Sequence, residues 1–198
     1  MFVLDISENN GEVDFDALVE HGVEGVIIRS SYGKYSEDEC FYRNVEEAVN
    51  HGLKVGAYHY SYALDEEDAI LEAHNMISVL ARTSAKFELG IWFDMEDADG
   101  YKAEHDFDFD SANITNICKA FIDNMPYDNK GIYASYSWFE YYIDYRYIGC
   151  NIWNAQWGEQ DDLSPISNVW QYSSEYYIDG NVFDANEYYE EGEHIWQI

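Results

Sequence analysis

The sequence predicts one α/β domain whose strands close into an irregular barrel. Apolar strand segments alternate with amphipathic helical segments, and the last three strand segments follow one another with little helix between them. Continuous apolar strands separated by amphipathic helices are typical of a parallel sheet with helices outside. About eight strands favour a closed barrel. An open doubly wound sheet is the alternative, but no GxGxxG follows the first strand to support a dinucleotide fold.

Each predicted strand is a short apolar segment. In chain order the strand segments are 1–7, 24–31, 53–62, 87–96, 130–136, 150–157, 168–174 and 180–186. The fourth, "FELGIWFDME", changes from apolar to acidic residues at its end. This change places charged side chains where a buried strand would leave the sheet.

Between the strands, apolar residues recur with helical spacing. In chain order the helical segments are 13–22, 40–52, 65–80, 114–125 and a short one within 137–144. Gly22 and Gly52 end the first two, as glycine commonly does. In the fourth, Ile114, Cys118 and Phe121 share one apolar face, so Cys118 is interpreted as a core residue.

Composition restricts the partners of this chain. Its 198 residues include 40 acidic and 10 basic ones, giving a formal net charge of -30. Such a surface repels phosphate groups and anionic lipids, which argues against nucleic-acid and membrane partners. Three widely spaced cysteines argue against a disulfide framework or a CxxC metal site. No signal peptide is visible, and no apolar stretch approaches the ~20 residues of a membrane span.

Polar and aromatic residues cluster at the predicted strand ends, which is where barrels of this kind carry their chemistry. In strand order these residues are Asp5; Arg29; Tyr58, His59 and Tyr60; Asp94 and Glu96; Tyr133 and Tyr136; Trp153, Asn154 and Gln156; Gln171 and Tyr172; and Asp179 in the last loop. Aromatic faces stack on sugar rings, while carboxylates and amides bond the hydroxyls. The pattern therefore indicates a sugar-binding cleft.

Asp94 and Glu96 are two residues apart on the fourth strand, so their side chains should project to the same side. Glycoside hydrolysis uses such a pair, one carboxyl protonating the leaving oxygen and the other stabilising the transition state. In an acidic chain a chance D-x-E is common. The "DFDFD" stretch at 106–110 is interpreted as an exposed turn before a helix, and a calcium site there, to which Asp97 and Asp99 could contribute, is the alternative. His59 is interpreted as structural or substrate-positioning rather than as a general base.

Several motifs together carry a resemblance to a known family. They are "DISENNGEVDF", "GVIIRSSYG", "GLKVGAYHYSYA", "GIWFDMED" and "WQYSS" followed by "IDGN". In this order, and over essentially the whole chain, they resemble the glycoside hydrolase family 25 lysozymes, the Chalaropsis-type muramidases. The resemblance implies a TIM-like (β/α)5(β)3 barrel, with residues 1–198 as one catalytic domain. It also implies hydrolysis of the β-1,4 bond between N-acetylmuramic acid and N-acetylglucosamine in peptidoglycan.

The family motifs also imply roles for individual residues. Glu96 resembles the general acid that later acts as base, and Asp94 resembles the partner that orients the substrate's N-acetyl group. Asp5 and Asp179 resemble the remaining carboxylates, with Asp184 as a competitor for the last role. The expected substrate-binding residues are Tyr58, Tyr60, Tyr133, Trp153, Arg29 and Gln171. A retaining, substrate-assisted route is expected.

The resemblance further implies no cofactor and no metal, a monomer, and peptidoglycan glycan strands as the partner. Action would be extracellular, on the cell wall, after secretion or phage-mediated lysis. Two alternatives stay open: a chitinase-like glycosidase and a non-catalytic glycan-binding barrel. The chitinase-like family expects a longer D-x-x-D-x-D-x-E run, whereas "GIWF" precedes Asp94 here.

Overall fold

A computed structural model describes residues 1–164 and 166–189 of the chain. The end of the predicted domain, at residue 198, lies outside the described residues. The strands of the described part are β1 Phe2–Ile6, β2 Gly25–Tyr32, β3 Ser36–Glu37, β4 Lys54–Tyr60, β5 Ile91–Asp94, β6 Lys130–Ser135, β7 Asn151–Ala155, β8 Val169–Ile178 and β9 Asn181–Tyr188. Each predicted strand segment overlaps one of them, and the two-residue strand β3 is an addition.

Helices occupy the predicted segments, together with two short ones that periodicity did not indicate. In the described part they are α1 Phe15–Glu20, α2 Phe41–Asn50, α3 Glu66–Leu80, α4 Tyr101–Glu104, α5 Ser111–Asn124, α6 Tyr136–Tyr141 and α7 Tyr145–Ile148. Asp14, Asp65 and Asp110 each accept a hydrogen bond from a first-turn N–H, so part of the acidic excess begins helices. No helix among the described residues is long and apolar enough to cross a bilayer.

The strands close into a ring. Parallel pairing runs from β1 through β2, β4, β5, β6 and β7 to β8, and antiparallel β9 lies between β8 and β1. Since β1 pairs with both β2 and β9, the ring has no open edge, which confirms the predicted closed barrel. The parallel strands therefore present their C-terminal ends at the same mouth.

Alternation along each strand separates two apolar layers. On β5 and just beyond it, Phe93 and Met95 face the layer between strands and helices, whereas Trp92 packs inside the barrel. Gly131 makes room for Trp92, because a Cβ there would lie 2.5 Å from the indole ring. Asp94 follows the inward alternation of Trp92, so the strand directs its acidic end into the mouth.

Strands β8 and β9 form a long hairpin that replaces the predicted loop. β8 continues to Ile178, past the predicted end of its segment, with register shifts after Gln171 and Ser173. Asp179 and Gly180 make the turn with φ of 48° and 87°. Two consecutive positive φ values are characteristic of a type I′ hairpin turn, for which Asp-Gly is a preferred dipeptide. The turn takes Asp179 beyond the paired part of both strands.

Candidate active site

A cleft of about 580 Å³ opens at the C-terminal ends of the parallel strands. Its lining includes nine of the ten predicted site residues: Asp5, Arg29, Tyr58, Tyr60, Asp94, Glu96, Tyr133, Trp153 and Gln171. Asp184 also lines it, whereas Asp179 does not. The cleft thus gathers side chains from all eight strands of the ring or from the residues that follow them.

Asp94 and Glu96 line the cleft together, as their spacing predicted. Asp94 is 5% exposed, and its Oδ1 has no hydrogen-bond partner among the described residues. Burial, followed by the neighbouring charge of Glu96, raises the pKa of Asp94 well above its ordinary value. Burial raises the pKa of Glu96 to about 7, although the positive charge of Lys102 opposes the rise. A carboxyl with this pKa can both donate and accept a proton near neutral pH.

Asp5 and Asp184 lie side by side at the mouth as directly paired residues of the neighbouring strands β1 and β9. Side chains of such a pair project to the same side of the sheet. Burial and the charge of Asp184 raise the pKa of Asp5, and burial raises the pKa of Asp184 to about 6. Two close carboxyls that cannot both ionise share a proton, so this pair adds less than two negative charges to the cleft.

Gln171 and Asn186 hold Asp5 in place. Both side-chain amides donate to Asp5 Oδ2, Gln171 at 3.0 Å and Asn186 at 2.9 Å. The Gln171 carbonyl accepts from the Tyr133 hydroxyl and the Trp157 indole N–H, each at 3.0 Å. Gln171 is 2% exposed, so its polar atoms are committed to these partners. Gln171 therefore holds other residues of the cleft wall in place and has few free polar atoms with which to bind a ligand.

The predicted aromatic residues divide into floor and wall. Trp153 is 1% exposed, and its indole N–H donates to Asn186 Oδ1 at 2.7 Å. Its ring meets that of Tyr133 edge-on at 4.7 Å, so both form the packed floor. Tyr58 and Tyr60 are only partly buried. The Tyr60 hydroxyl, near Asp94 and Glu96, has no hydrogen-bond partner among the described residues.

Arg29 lies at the cleft but is already engaged. Its Nε donates to Asp38 Oδ2 at 2.9 Å, and one terminal nitrogen donates to Glu8 Oε1 at 3.0 Å. The Asp38 side chain is fully buried. These contacts tie the segment after β1 to the segment after β2, so Arg29 supports the rim of the cleft.

Asp179, expected as the fourth carboxylate, is not brought to the cleft. Its side chain is 63% exposed in the hairpin turn and lies 3.8 Å from His21 Nε2, just past the end of α1. The hairpin geometry explains the displacement, since the type I′ turn falls where two strands end rather than at the barrel mouth. Asp184, its competitor in the sequence, takes the place opposite Asp5.

Residues that the sequence did not assign to the cleft also shape the site. Asn186 follows Asp184 by two positions, so strand alternation could have indicated it. Asp99 accepts from the Tyr62 hydroxyl at 2.8 Å on the cleft rim, and Asp97 accepts from the backbone N–H groups of Lys102 and Ala103 in α4. Within 1–164 and 166–189, no cluster of His, Cys, Asp and Glu has a metal-binding arrangement. Lys102, buried behind Glu96, gave no signal in the sequence.

His59 and Cys118 lie away from the cleft. His59 is completely buried between the barrel and its helices, with Nδ1 2.8 Å from Ser31 Oγ and Nε2 3.5 Å from Glu72 Oε2. The predicted structural role of His59 agrees with this position. Cys118 is fully buried in the outer apolar layer, which confirms its assignment to the core.

A closed barrel with buried carboxylates and aromatic side chains at its mouth is the arrangement expected of barrel-fold glycoside hydrolases. The family model described as glycosyl hydrolases family 25 matches residues 4–181, and the chain belongs to that family. The resemblance inferred from the motifs is thereby confirmed.

Individual relatives agree with this family. An autolytic lysozyme of Clostridium acetobutylicum is 38% identical over 78 residues, which cover 39% of this chain and 24% of that protein. The modular autolysin LytC from Streptococcus pneumoniae, solved in complex with a synthetic peptidoglycan ligand, superposes with a TM-score of 0.80 at 25% identity. That match covers 95% of this chain and 46% of LytC.

A family 25 glycosyl hydrolase from Bacillus anthracis shares the fold at 21% identity, with a TM-score of 0.80 and coverage of 98% and 90% of the two chains. The chain thus spans less than half the length of the curated lysozyme and of LytC that it matches.

Proposed function

We propose that the chain is a muramidase that hydrolyses the β-1,4 bond between N-acetylmuramic acid and N-acetylglucosamine in peptidoglycan. One observation carries the proposal: Asp94 and Glu96 line the same cleft, and burial raises the pKa of Glu96 to about 7. A protonated carboxyl beside a second carboxyl is the arrangement that glycoside hydrolysis requires. Family membership and the lysozyme and autolysin relatives give the substrate class.

Glu96 is assigned the proton transfers. As the glycosidic C–O bond breaks, Glu96 donates its proton to the leaving oxygen and becomes a carboxylate. It then accepts a proton from the water that attacks the anomeric carbon, which restores the acid. A pKa near the working pH suits both steps, because the same group must donate first and accept later.

Asp94 is assigned to the substrate's acetamido group. Its unpartnered Oδ1 can accept the acetamido N–H, while the acetamido oxygen attacks the anomeric carbon and forms a cyclic intermediate. Opening of that intermediate by water from the opposite face gives net retention. Asp5 and Asp184 lie across the mouth and add negative potential that stabilises developing positive charge on the sugar.

The broader role follows from the same assignment. Residues 1–198 would act as one catalytic domain, as a monomer, on peptidoglycan strands in the cell wall outside the cytoplasm. Either secretion or release during phage lysis would bring it there. Tyr60, which is half-buried and lines the cleft, is assigned a contact with the sugar.

The test uses purified peptidoglycan and mass spectrometry of the new reducing ends. Reducing-end muramic acid is the expected result. Reducing-end glucosamine would contradict the muramidase assignment and favour the chitinase-like alternative, while binding without new ends would favour a non-catalytic barrel. Proton NMR of the first product formed tests stereochemistry, and initial appearance of the α-anomer would contradict retention.

A further inference from the structure

A buried lysine lies behind the two cleft carboxylates. Lys102, on the short helix α4, is 1% exposed, and its Nζ donates to the backbone carbonyls of Ser61 and Glu96. Ser61 follows the last residue of β4, and Glu96 lies two residues after β5. An ammonium group is costly to bury, since it gives up its hydration shell. A lysine kept here therefore points to a role that an apolar side chain would not fill.

The backbone around Lys102 holds it in this position. Asp97 accepts hydrogen bonds from the backbone N–H groups of Lys102 and Ala103, at 2.7 and 3.1 Å. These hydrogen bonds fix the turn between β5 and α4, and the Lys102 side chain extends back towards the backbone of Glu96. Lys102 Nζ lies 2.7 Å from the Glu96 carbonyl oxygen, so one side chain connects the acid's own backbone to the neighbouring strand.

We propose that Lys102 is a positioning residue for Glu96: its ammonium fixes the end of β5 against the end of β4 and places a positive charge behind the acidic cleft. The proposal rests on the assignment of Glu96 as the general acid. Lys102 does not touch the reacting atoms, because it is covered on the cleft side and bonds backbone oxygens.

The charge environment of Glu96 makes this lysine unusual. The groups whose charges act on Glu96, or on which its charge acts, are Asp97 and Asp99 in the loop after β5, Asp94 on β5, Tyr60 on β4, Tyr133 on β6, Asp184 on β9 and Lys102 on α4. Within this set Lys102 supplies the positive charge. Burial and the acidic neighbours raise the pKa of Glu96, and Lys102 counteracts part of that rise. Arg29 acts on Asp94 but is paired with Glu8 and Asp38.

The sign of the expected change follows directly. Without the ammonium, ionised Glu96 loses its nearby counter-charge, so its pKa should rise by about one pH unit above that of the unaltered protein. Because the general acid must be protonated, the alkaline limb of the kcat/KM profile should move to higher pH by the same amount. A purely structural lysine would alter stability or total activity but would leave this limb in place.

The experiment titrates Glu96 by ¹³C NMR in the full chain and in Lys102→Met, with the resonance assigned by its absence in Glu96→Gln. A matched control, Lys119→Met, removes the same charge from an exposed pair on α5. We expect the pKa of Glu96 to rise in Lys102→Met alone, and an unchanged pKa would overturn the proposal. Lys102→Arg, which keeps the charge, should restore the original alkaline limb if it folds.

A second measurement remains decisive if Lys102→Met does not fold. Coupling between two sites is reciprocal, so Glu96→Gln should lower the pKa of the Lys102 ammonium by the same amount. This pKa is read from ¹⁵N-lysine spectra, and no change would refute the proposal. Neither titration requires turnover. If Glu96→Gln stays active while both pKa values move, the assignment of the general acid fails and the coupling stands.

Discussion

Two groups of buried and half-buried carboxylates lie at the same end of the barrel and differ in the charges that surround them. In the first, Asp38 and Glu8 hold Arg29 between them, with N–O distances of 2.9 and 3.0 Å. The second consists of the four cleft carboxylates Asp5, Asp94, Glu96 and Asp184, which chiefly face one another. Both lie within a few residues of strand ends, so position along the fold does not distinguish them.

The difference teaches what each group contributes. A buried carboxylate paired with an arginine satisfies both charges and fixes two loops, so its role is mechanical. Carboxyls crowded together without enough positive charge have raised pKa values. Keeping them close together costs folding free energy, which other interactions in the protein must offset. Such a free-energy cost is retained where it serves chemistry. We therefore expect substitutions in the two groups to have opposite consequences for activity and stability.

The largest effect is expected for Glu96→Gln. The amide preserves size but has no proton to donate, so turnover of purified peptidoglycan should fall about a thousandfold or more. Release of soluble wall fragments measures the loss, and unfolding curves check that the fold is retained. Glu20→Gln, an exposed change at the end of α1, should leave turnover unaltered. Near-normal activity in Glu96→Gln would remove Glu96 from the acid role.

Arg29→Met should produce the largest loss of stability. It leaves the fully buried Asp38 side chain without its cation, which costs about 3 kcal/mol of unfolding free energy. Urea denaturation at pH 7 measures this loss. Lys34→Met provides the control, because it breaks a more exposed pair with Asp68 and should cost less than about 1 kcal/mol. Equal losses of unfolding free energy in the two variants would show that the buried Arg29–Asp38 pair stabilises the cleft rim no more than an exposed ion pair does.

Amide substitutions at pH 8 should change stability in opposite directions in the two groups. The pKa of Glu96 rises from 4.5 to about 7 on folding, so the folded state binds more protons than the unfolded state between these values. Stability linked to Glu96 is therefore present below pH 4.5 and lost as pH rises through 7. Glu96→Gln should avoid that loss and be more stable than the unaltered protein at pH 8, by about 2 kcal/mol.

Asp38→Asn is the matched change in the other group. It removes one partner of a buried ion pair, so it should destabilise the protein at the same pH. Thermal and urea unfolding of both variants at pH 5 and pH 8 provide the comparison. Destabilisation by both amides at pH 8 would contradict the view that crowding, rather than pairing, governs the cleft.

Much of the barrel could be predicted, because its strands and longer helices follow patterns that are local in the sequence. Period-two alternation placed Asp94 and Glu96 on one side, and helical periodicity located the longer helices. Lys102 shows the limit of such rules. A lysine in an acidic stretch is ordinarily solvated, and only the three-dimensional meeting of α4 with the ends of β4 and β5 buries it. The engagement of Arg29 likewise depends on two loops far apart in sequence.

Asp179 illustrates a conflict between two local signals. As part of a family motif, "IDGN" suggested an active-site loop, whereas Asp-Gly between strand-like segments is a strong hairpin signal. Tertiary structure follows the second signal, and β9 then brings Asp184 opposite Asp5. Turn chemistry would have favoured Asp184, because its inward position follows from alternation once the hairpin is assigned.

The smallest expected effects come from comparing these two aspartates. Asp184→Asn weakens the negative potential across the mouth and alters the proton shared with Asp5, so kcat/KM should fall about tenfold, or by 1.4 kcal/mol of transition-state stabilisation. Asp179→Asn should leave kcat/KM unchanged, since its exposed side chain only approaches His21, and asparagine tolerates the positive φ of the turn. Initial rates at pH 6, on the same peptidoglycan preparation, measure both. A loss of kcat/KM confined to Asp179→Asn would assign the role of fourth carboxylate to Asp179 and require the hairpin turn to move during catalysis. A loss confined to Asp184→Asn would show that catalysis depends on the crowded carboxylates of the mouth, where each charge changes the pKa of its neighbours.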